Sequence, residues 1–530
     1  MLEKRWIIKD QPEPQAIQNL RNAINASEPL AALLLQRGIQ DFDAARQLFN
    51  PTLSQSHNPF LMKDMQKAVD RITQAINEQQ NILIYGDYDV DGTTSVALMF
   101  SFLSNHYDRV SYYLPDRYGE GYGISTQGID FAADNDISLV IALDCGIKAV
   151  DKLDYANSKN IDFIICDHHL PGESLPKAAA ILHPLQPDCA YPFKHLSGCG
   201  IGLKLAQALA KSWSTEETEP LQYLDLVAIA AGCDIVSMTG ENRVLSFLGL
   251  KLMETAIRPG LELLLEGAGL VKDGILKRPL TITDLVFIIG PRINAAGRMA
   301  HGQQAVELLI ANTKKEAEIP VQNIVANNTN RREVDLQMLD EAIVMLEGTD
   351  KNANSTVLYA EHWHKGVVGI VASRVQDHFY RPTIILTHSS DGKATGSARS
   401  VLGFDVHHAI EQCAELLDNF GGHQAAAGMT MPLENLDRFR SRFEEAVSKT
   451  ILPEQLIPSI TIDLALDFDQ INMRFYESMN RIAPFGPDNM KPLFVSHHVF
   501  DAGNSKRVGT GEHLKLEVFQ QGKSKNKIKG

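Results

Sequence analysis

The apolar run Asn81–Tyr85 stops abruptly. After Gly86 come three carboxylates at alternate positions, Asp87, Asp89 and Asp91, closed by Gly92. Ile82, Leu83 and Ile84 predict a strand buried on both faces of a parallel sheet, and Thr93 to His106 has the length and apolar content of the helix that would follow. Side chains at i, i+2 and i+4 of an extended chain share one face, so the three carboxylates are expected to converge. Converged carboxylates repel and raise one another's pKa unless a cation holds them. A calcium loop also starts Asp-x-Asp-x-Asp-Gly, but its twelfth position needs a bidentate Glu and here is Leu98. A bland surface turn is disfavoured by the buried approach.

The pattern recurs downstream. Ser138–Leu143 ends at Asp144, and Ile161–Cys166 ends at Asp167-His168-His169, with a helical stretch Lys148–Ser158 between them. Alternating strands and helices imply a parallel sheet, and ligands collect at the carboxyl ends of its strands. Neighbouring strand residues point opposite ways, so His168 and His169 are expected in the turn beyond the strand, one binding metal and the other facing substrate. The apolar segment Leu224–Val236 reads as a buried helix interrupted by Asp234. A buried carboxylate is costly without a partner, which favours metal coordination over a capping role.

These motifs resemble the DHH phosphoesterase superfamily, and within it the exonucleases that degrade single-stranded DNA from 5′ to 3′. Nearly the whole chain takes part. The matching stretches are 86–92, 114–123, 290–299, 363–370, 396–399 and 421–428. The resemblance implies an α/β chain: a parallel-sheet DHH domain, a helical connector, a second α/β DHH-associated domain and a C-terminal β-barrel of the oligonucleotide-binding kind. It implies two divalent cations, Mn²⁺ or Mg²⁺, held by Asp89, Asp91, Asp144, His168 and Asp234. Other members often carry His where this chain has Tyr85, which leaves Asp87 as a further ligand. His169 would stabilise the scissile phosphate. Arg117, Ser397 and Arg399 would hold a 5′ phosphate, since guanidinium pairs with phosphate through parallel hydrogen bonds. Arg292 would line a narrow path. The Gly-Gly and Ala run around His423 would let backbone approach a ligand, and tight helix packing explains those small residues equally well. His407 and His408 have no motif support and read as structural.

Pattern shifts place the boundaries at 1–64 for a lead with helices, 65–237 for the DHH domain, 238–349 for a helical segment with a connecting helix over Ala326–Leu346, 350–452 for the second α/β domain and 453–530 for the β region. The last is short of strand for a five-stranded barrel, so a reduced barrel, or one completed by further chain, is expected. No apolar run reaches membrane-spanning length, and the start lacks a signal-peptide stretch. The cysteines at 145, 166, 189, 199, 233 and 413 show no Cys-x-x-Cys pairing and read as reduced thiols, placing the chain in the cytoplasm. The formal charge of −15 weakens long-range attraction to DNA, but a groove needs only a local basic lining.

Three readings follow: the exonuclease, a phosphodiesterase of very short oligonucleotides or cyclic dinucleotides, and a catalytically dead strand-binding scaffold. Separate binding modules argue against the second, and the intact set of clustered acids and His argues against the third. The resemblance suggests a monomer that meets the 5′ end of single-stranded DNA, with a single-strand binding protein and a helicase as associates.

Overall fold

A computed structural model describes residues 3–299, 302–348, 352–389, 392–509, 513–522 and 528–529. The chain is α/β and forms two compact units, Asp10–Asn328 with Leu464–Gly530, and Met1–Lys9 with Thr329–Asp463. The expected boundary at 349–350 lies outside the described residues, as does part of the polar end after Gln520.

In the first unit a five-stranded sheet runs in the order Val110–Tyr113, Asn81–Gly86, Ile137–Leu143, Asp162–Cys166, Ala180–Leu182, with every neighbour parallel. Strand alternation divides its side chains between two cores. Ile82, Ile84, Leu139 and Ile141 pack with helices Met65–Asn77, Val90–Ser104 and Gly198–Ser212. Leu83, Tyr85, Val140 and Ala142 pack on the other face with helices Thr126–Asp134 and Val150–Ser158. The first strand in sequence pairs with the second on one side and the third on the other. The connections therefore leave Asn81–Gly86 and Ile137–Leu143 in opposite directions, which opens a crevice at their carboxyl ends.

Asp87, Asp89 and Asp91 do not lie on one extended face. The strand ends at Gly86, Asp89 caps helix Val90–Ser104, and Asp91 sits in that helix's first turn. Turn geometry brings them near one another. A Cβ on Gly92 would lie 2.4 Å from the Asp87 carbonyl oxygen, so this tight reversal requires glycine.

Helices Pro14–Ile24 and Glu28–Leu35 share a small core with Leu464, Leu466, Phe475, Met479 and Ile482. Beyond it, among the described residues, the C-terminal β structure consists of sheets of two and three strands rather than a closed barrel.

The second unit holds a mixed sheet in the order Asn419–His423, Ala426–Pro432, Lys393–Arg399, Thr383–Ser389, Thr356–Ala360, antiparallel except for the last pair. Helix Leu436–Thr450 covers one face. Helix Val368–Phe379 and the end of the long helix Lys314–Glu347 cover the other, through Val371, Met338 and Ala342. Arg374 reaches the buried Asp335 of the long helix at 3.1 Å. Strand Arg5–Ile8, unforeseen in the N-terminal lead, pairs in parallel with Ser459–Ile462.

Candidate metal centre

Asp91 is buried, and its carboxylate accepts the amides of Gly198 at 2.6 Å and Cys199 at 2.8 Å, at the start of helix Gly198–Ser212. A helix N-terminus favours such an anion. Asp144 follows strand Ile137–Leu143 in the left-handed backbone region, φ 59°. It lies directly over Gly198, where a Cβ would come within 2.6 Å of its own.

His168 and His169 lie in the turn after strand Asp162–Cys166. The first residue of their triplet shapes it. Asp167 Oδ1 accepts the amides of His168 and His169 at 2.7 and 3.1 Å and meets His169 Nδ1 at 2.8 Å, while Oδ2 accepts the Ile147 amide at 2.9 Å. His168 Nε2 then lies 3.1 Å from Asp144, 3.4 Å from Asp234 and 3.7 Å from Asp91. Asp234 caps helix Leu224–Cys233 at its C-terminus and is followed by Ile235 at φ 59°. A branched residue rarely adopts that conformation.

Two overlapping groups have ligand atoms within 4.8 Å of one another: Asp91, His168 and Asp234, and Asp144, His168 and His169. Their charges are unbalanced. Burial, then repulsion from Asp89, raises Asp91 to about 7. Burial, then repulsion from Asp91, pushes Asp234 up to about 8 and Asp144 well above the usual carboxylate range. Burial and Asp89 raise Asp87 to about 8. Asp87 Oδ1 accepts the Gly123 amide at 3.3 Å, and among the described residues its buried Oδ2 has no hydrogen-bond partner. Burial and the neighbouring His169 lower His168 to about 4, keeping its ring neutral and able to donate a lone pair. Burial alone would lower His169, but Asp167 overrides it and raises His169 to about 9. Hard carboxylate oxygens, one neutral imidazole and an orphaned acid oxygen fit a divalent cation pair.

Two participants went unassigned in the sequence. Asp167 orients both histidines, and its place before His-His at a strand end was the available signal. Tyr122 Oη lies 2.9 Å from His169 Nε2, a pairing without a local signature.

Arg117 stacks over Tyr88 with its guanidinium carbon 5.0 Å from the ring centroid, and its charge reaches Asp87. Arg292 lies on helix Gly290–Met299 and donates to the Ile288 carbonyl at 2.6 Å. That helix meets the acidic loop at Gly297, where a Cβ would approach the Tyr88 carbonyl oxygen to 2.7 Å. Ser397, Arg399 and His423 belong to the other unit. Arg399 Nη1 donates to Ser397 Oγ at 2.6 Å, and a Cβ on Gly369, in the first turn of helix Val368–Phe379, would meet Arg399 Nη2 at 2.8 Å. His423 is exposed and pairs in register with Ala426, which pairs with Arg399. His408 meets Glu411 at 3.2 Å, and His407 packs against Phe420.

A parallel sheet with acids and a His pair at its carboxyl edge defines a DHH-type domain, and residues 81–231 match the model for the DHH family, N-terminal domain. Residues 352–449 match the DHHA1 domain and 462–530 the RecJ OB domain. The single-stranded-DNA-specific exonuclease RecJ of Bacillus subtilis is 37% identical over 97% of this chain, which spans 64% of that protein's length. RecJ of Dickeya dadantii is 34% identical over 92% of this chain and 86% of its own, and RecJ of Escherichia coli 33% over 86% and 81%. The crystal structure of Thermus thermophilus RecJ in complex with Mn²⁺ superposes with a TM-score of 0.82 at 26% identity, covering 97% of this chain and 72% of that one. A crystal structure of RecJ bound to manganese gives 0.63 at 30% identity, over 74% and 96%. The chain belongs to the RecJ family.

Proposed function

We propose that this chain is a metal-dependent exonuclease specific for single-stranded DNA, removing mononucleotides from the 5′ end. The observation that carries this reading is the convergence of Asp91, Asp144 and Asp234 on the His168 imidazole, in a chain whose relatives are named single-stranded-DNA-specific exonucleases. Asp87, Asp89, Asp91, Asp144, His168 and Asp234 would hold two Mn²⁺ or Mg²⁺ ions. Such a pair supplies a lowered pKa for the attacking water and charge neutralisation at the leaving oxygen.

The protein's own residues do the rest. Amides of helix Gly198–Ser212 fix Asp91, and Asp167 holds His169 cationic beside the site of reaction, where it can offset charge developing on the scissile phosphate. Water adds to phosphorus as the bond to the 3′ oxygen breaks, so a 5′-mononucleotide leaves and the shortened strand keeps its end chemistry for the next round. Ser397 and Arg399 beside the first turn of helix Val368–Phe379 form a phosphate cradle for the 5′ end. Arg117 and Arg292 would contact the strand, and His423 would line its approach. A monomer acting in the cytoplasm alongside a single-strand binding protein and a helicase completes the reading. Among the described residues no helix is long and apolar enough to cross a membrane.

Asp144→Ala and His168→Ala are each expected to abolish cleavage of single-stranded DNA while leaving circular dichroism unchanged, and chelation by EDTA should stop the wild-type protein. Wild-type turnover by either variant would refute the assigned site.

A further inference from the structure

A cavity of about 730 Å³ opens between helices Pro14–Ile24 and Phe42–Phe49 and helix Met473–Asn480. It shares no residue with the acidic cluster. Arg21, Arg46, Arg474 and Arg481 line it, and among the described residues no Asp or Glu does. That is a sharp local inversion in a chain with 65 acidic and 50 basic residues.

Helix electrostatics explains only part of it. Arg21 and Arg46 stand in the last turns of their helices, where the dipole favours a cation. Arg474 stands in the first turn of Met473–Asn480, the end where the dipole opposes it. Among the described residues Arg46 alone of the four has a carboxylate in reach, Asp43 at 3.3 Å, on the open surface. Arg474 reaches the Asn25 carbonyl at 3.5 Å, and Arg481 stacks over Phe49 at 5.0 Å. Three guanidiniums without an acid on one concave wall amount to a fixed positive potential awaiting an anion.

Phe42 lines the same cavity and is 53% exposed, which leaves a face of its ring open to the cavity. The volume falls within the roughly 300–1,000 Å³ of small-molecule sites. Guanidinium serves carboxylate and phosphate alike, but an acidic peptide has no need of a bare aromatic face. A nucleotide uses both, since any base can stack on an aromatic ring.

We propose that this pocket is a nucleotide-binding site separate from the metal centre, with phosphate on Arg21 and Arg474 and the base against Phe42. One chemistry serves a free nucleotide and a nucleotide within a strand alike. Calorimetric titration in EDTA with dATP, a short oligothymidylate, pyrophosphate and a glutamate-rich peptide separates the cases. The charge reversal Arg21→Glu with Arg474→Glu is expected to weaken nucleotide binding by about tenfold or more, the scale of a lost charged hydrogen bond. Phe42→Ala should weaken it roughly five- to hundredfold, as for a lost base–aromatic stack. Both should cleave short strands at the wild-type rate. Loss of dATP binding would identify a free nucleotide; loss confined to the oligonucleotide would identify the strand. Unchanged binding in all variants, tighter binding of pyrophosphate than of dATP, or a peptide bound in preference to both would overturn the proposal. Arg474→Gln provides the same test should the double reversal fail to fold.

Discussion

Asp167 carries more of the site than its position behind the two histidines suggests. Its carboxylate is held at about 2, because the His169 hydrogen bond and charge outweigh the burial that would raise it. It spends both oxygens on the turn that aims His168 and His169. Asp167→Asn keeps one acceptor oxygen for the His168 and His169 amides, sets its NH2 group against the Ile147 N–H, and removes the charge that holds His169 protonated. The expected result is activity about 10- to 100-fold lower, the usual cost of losing a partner that orients a ligand, with a stability loss of about 1–3 kcal/mol from the buried Ile147 amide left unpaired. Activity titrated against Mn²⁺ checks it, and an unaffected rate would show that Asp167 merely closes the turn. The acids at 144 and 234 and the His pair were legible in the sequence because each ends an apolar run. Tyr122 was not, since its contact with His169 crosses from a glycine-rich loop with no periodicity to read.

Elements place these residues, and glycine sets how closely. Helix Gly198–Ser212 approaches so near that a Cβ at Gly198 would collide with Asp144 backbone and side chain at 2.9 and 2.6 Å. Gly198→Ala must push either the helix or Asp144 away, at a cost of about 1–3 kcal/mol as for an overpacked core. Urea unfolding should show that loss, together with weakened cleavage, because the amide of residue 198 also holds Asp91. A second element has a pH signature. Burial would raise Asp284, but Arg278 at 2.6 Å and the Thr281 cap hold its carboxyl below the usual range, at the turn that leads to helix Gly290–Met299. A depressed folded pKa stabilises above the unfolded value and loses that contribution as pH falls. Asp284→Asn should therefore melt below the wild type at pH 7, with the gap closing as pH drops below the ordinary Asp value of about 4. A gap independent of pH would assign the loss to packing. Sequence reading found strands Asn81–Gly86, Ile137–Leu143 and Asp162–Cys166 from their apolar runs and the later part of helix Lys314–Glu347, but did not mark Val110–Tyr113 or Ala180–Leu182. It misplaced Asp89 and Asp91 on an extended face because the Gly92 reversal follows from close approach, not from pattern. It missed strand Arg5–Ile8 because its partner, Ser459–Ile462, is almost a chain length away.

For the whole molecule, the acidic balance and the proposed activity are reconciled if strand contacts are local. Binding of single strands should weaken with salt at a slope of about −0.7 per phosphate contacted, and cleavage should rise with strand length rather than peak at two to four nucleotides, about the smallest single-strand footprint. A compact-substrate phosphodiesterase would show the reverse. The DHH-type sheet, its connecting helix and the second α/β unit were visible in ordered motifs, whereas the absence of a closed barrel among the described C-terminal strands was foreshadowed only by their brevity. The most direct measurement is digestion of long single-stranded DNA labelled at either end, with Mn²⁺ or Mg²⁺ present. The expected result is immediate release of the 5′ label as mononucleotide, while the 3′ label stays on steadily shortening strands that stall at paired DNA. Early release of the 3′ label, or activity confined to the shortest oligomers, would contradict the account.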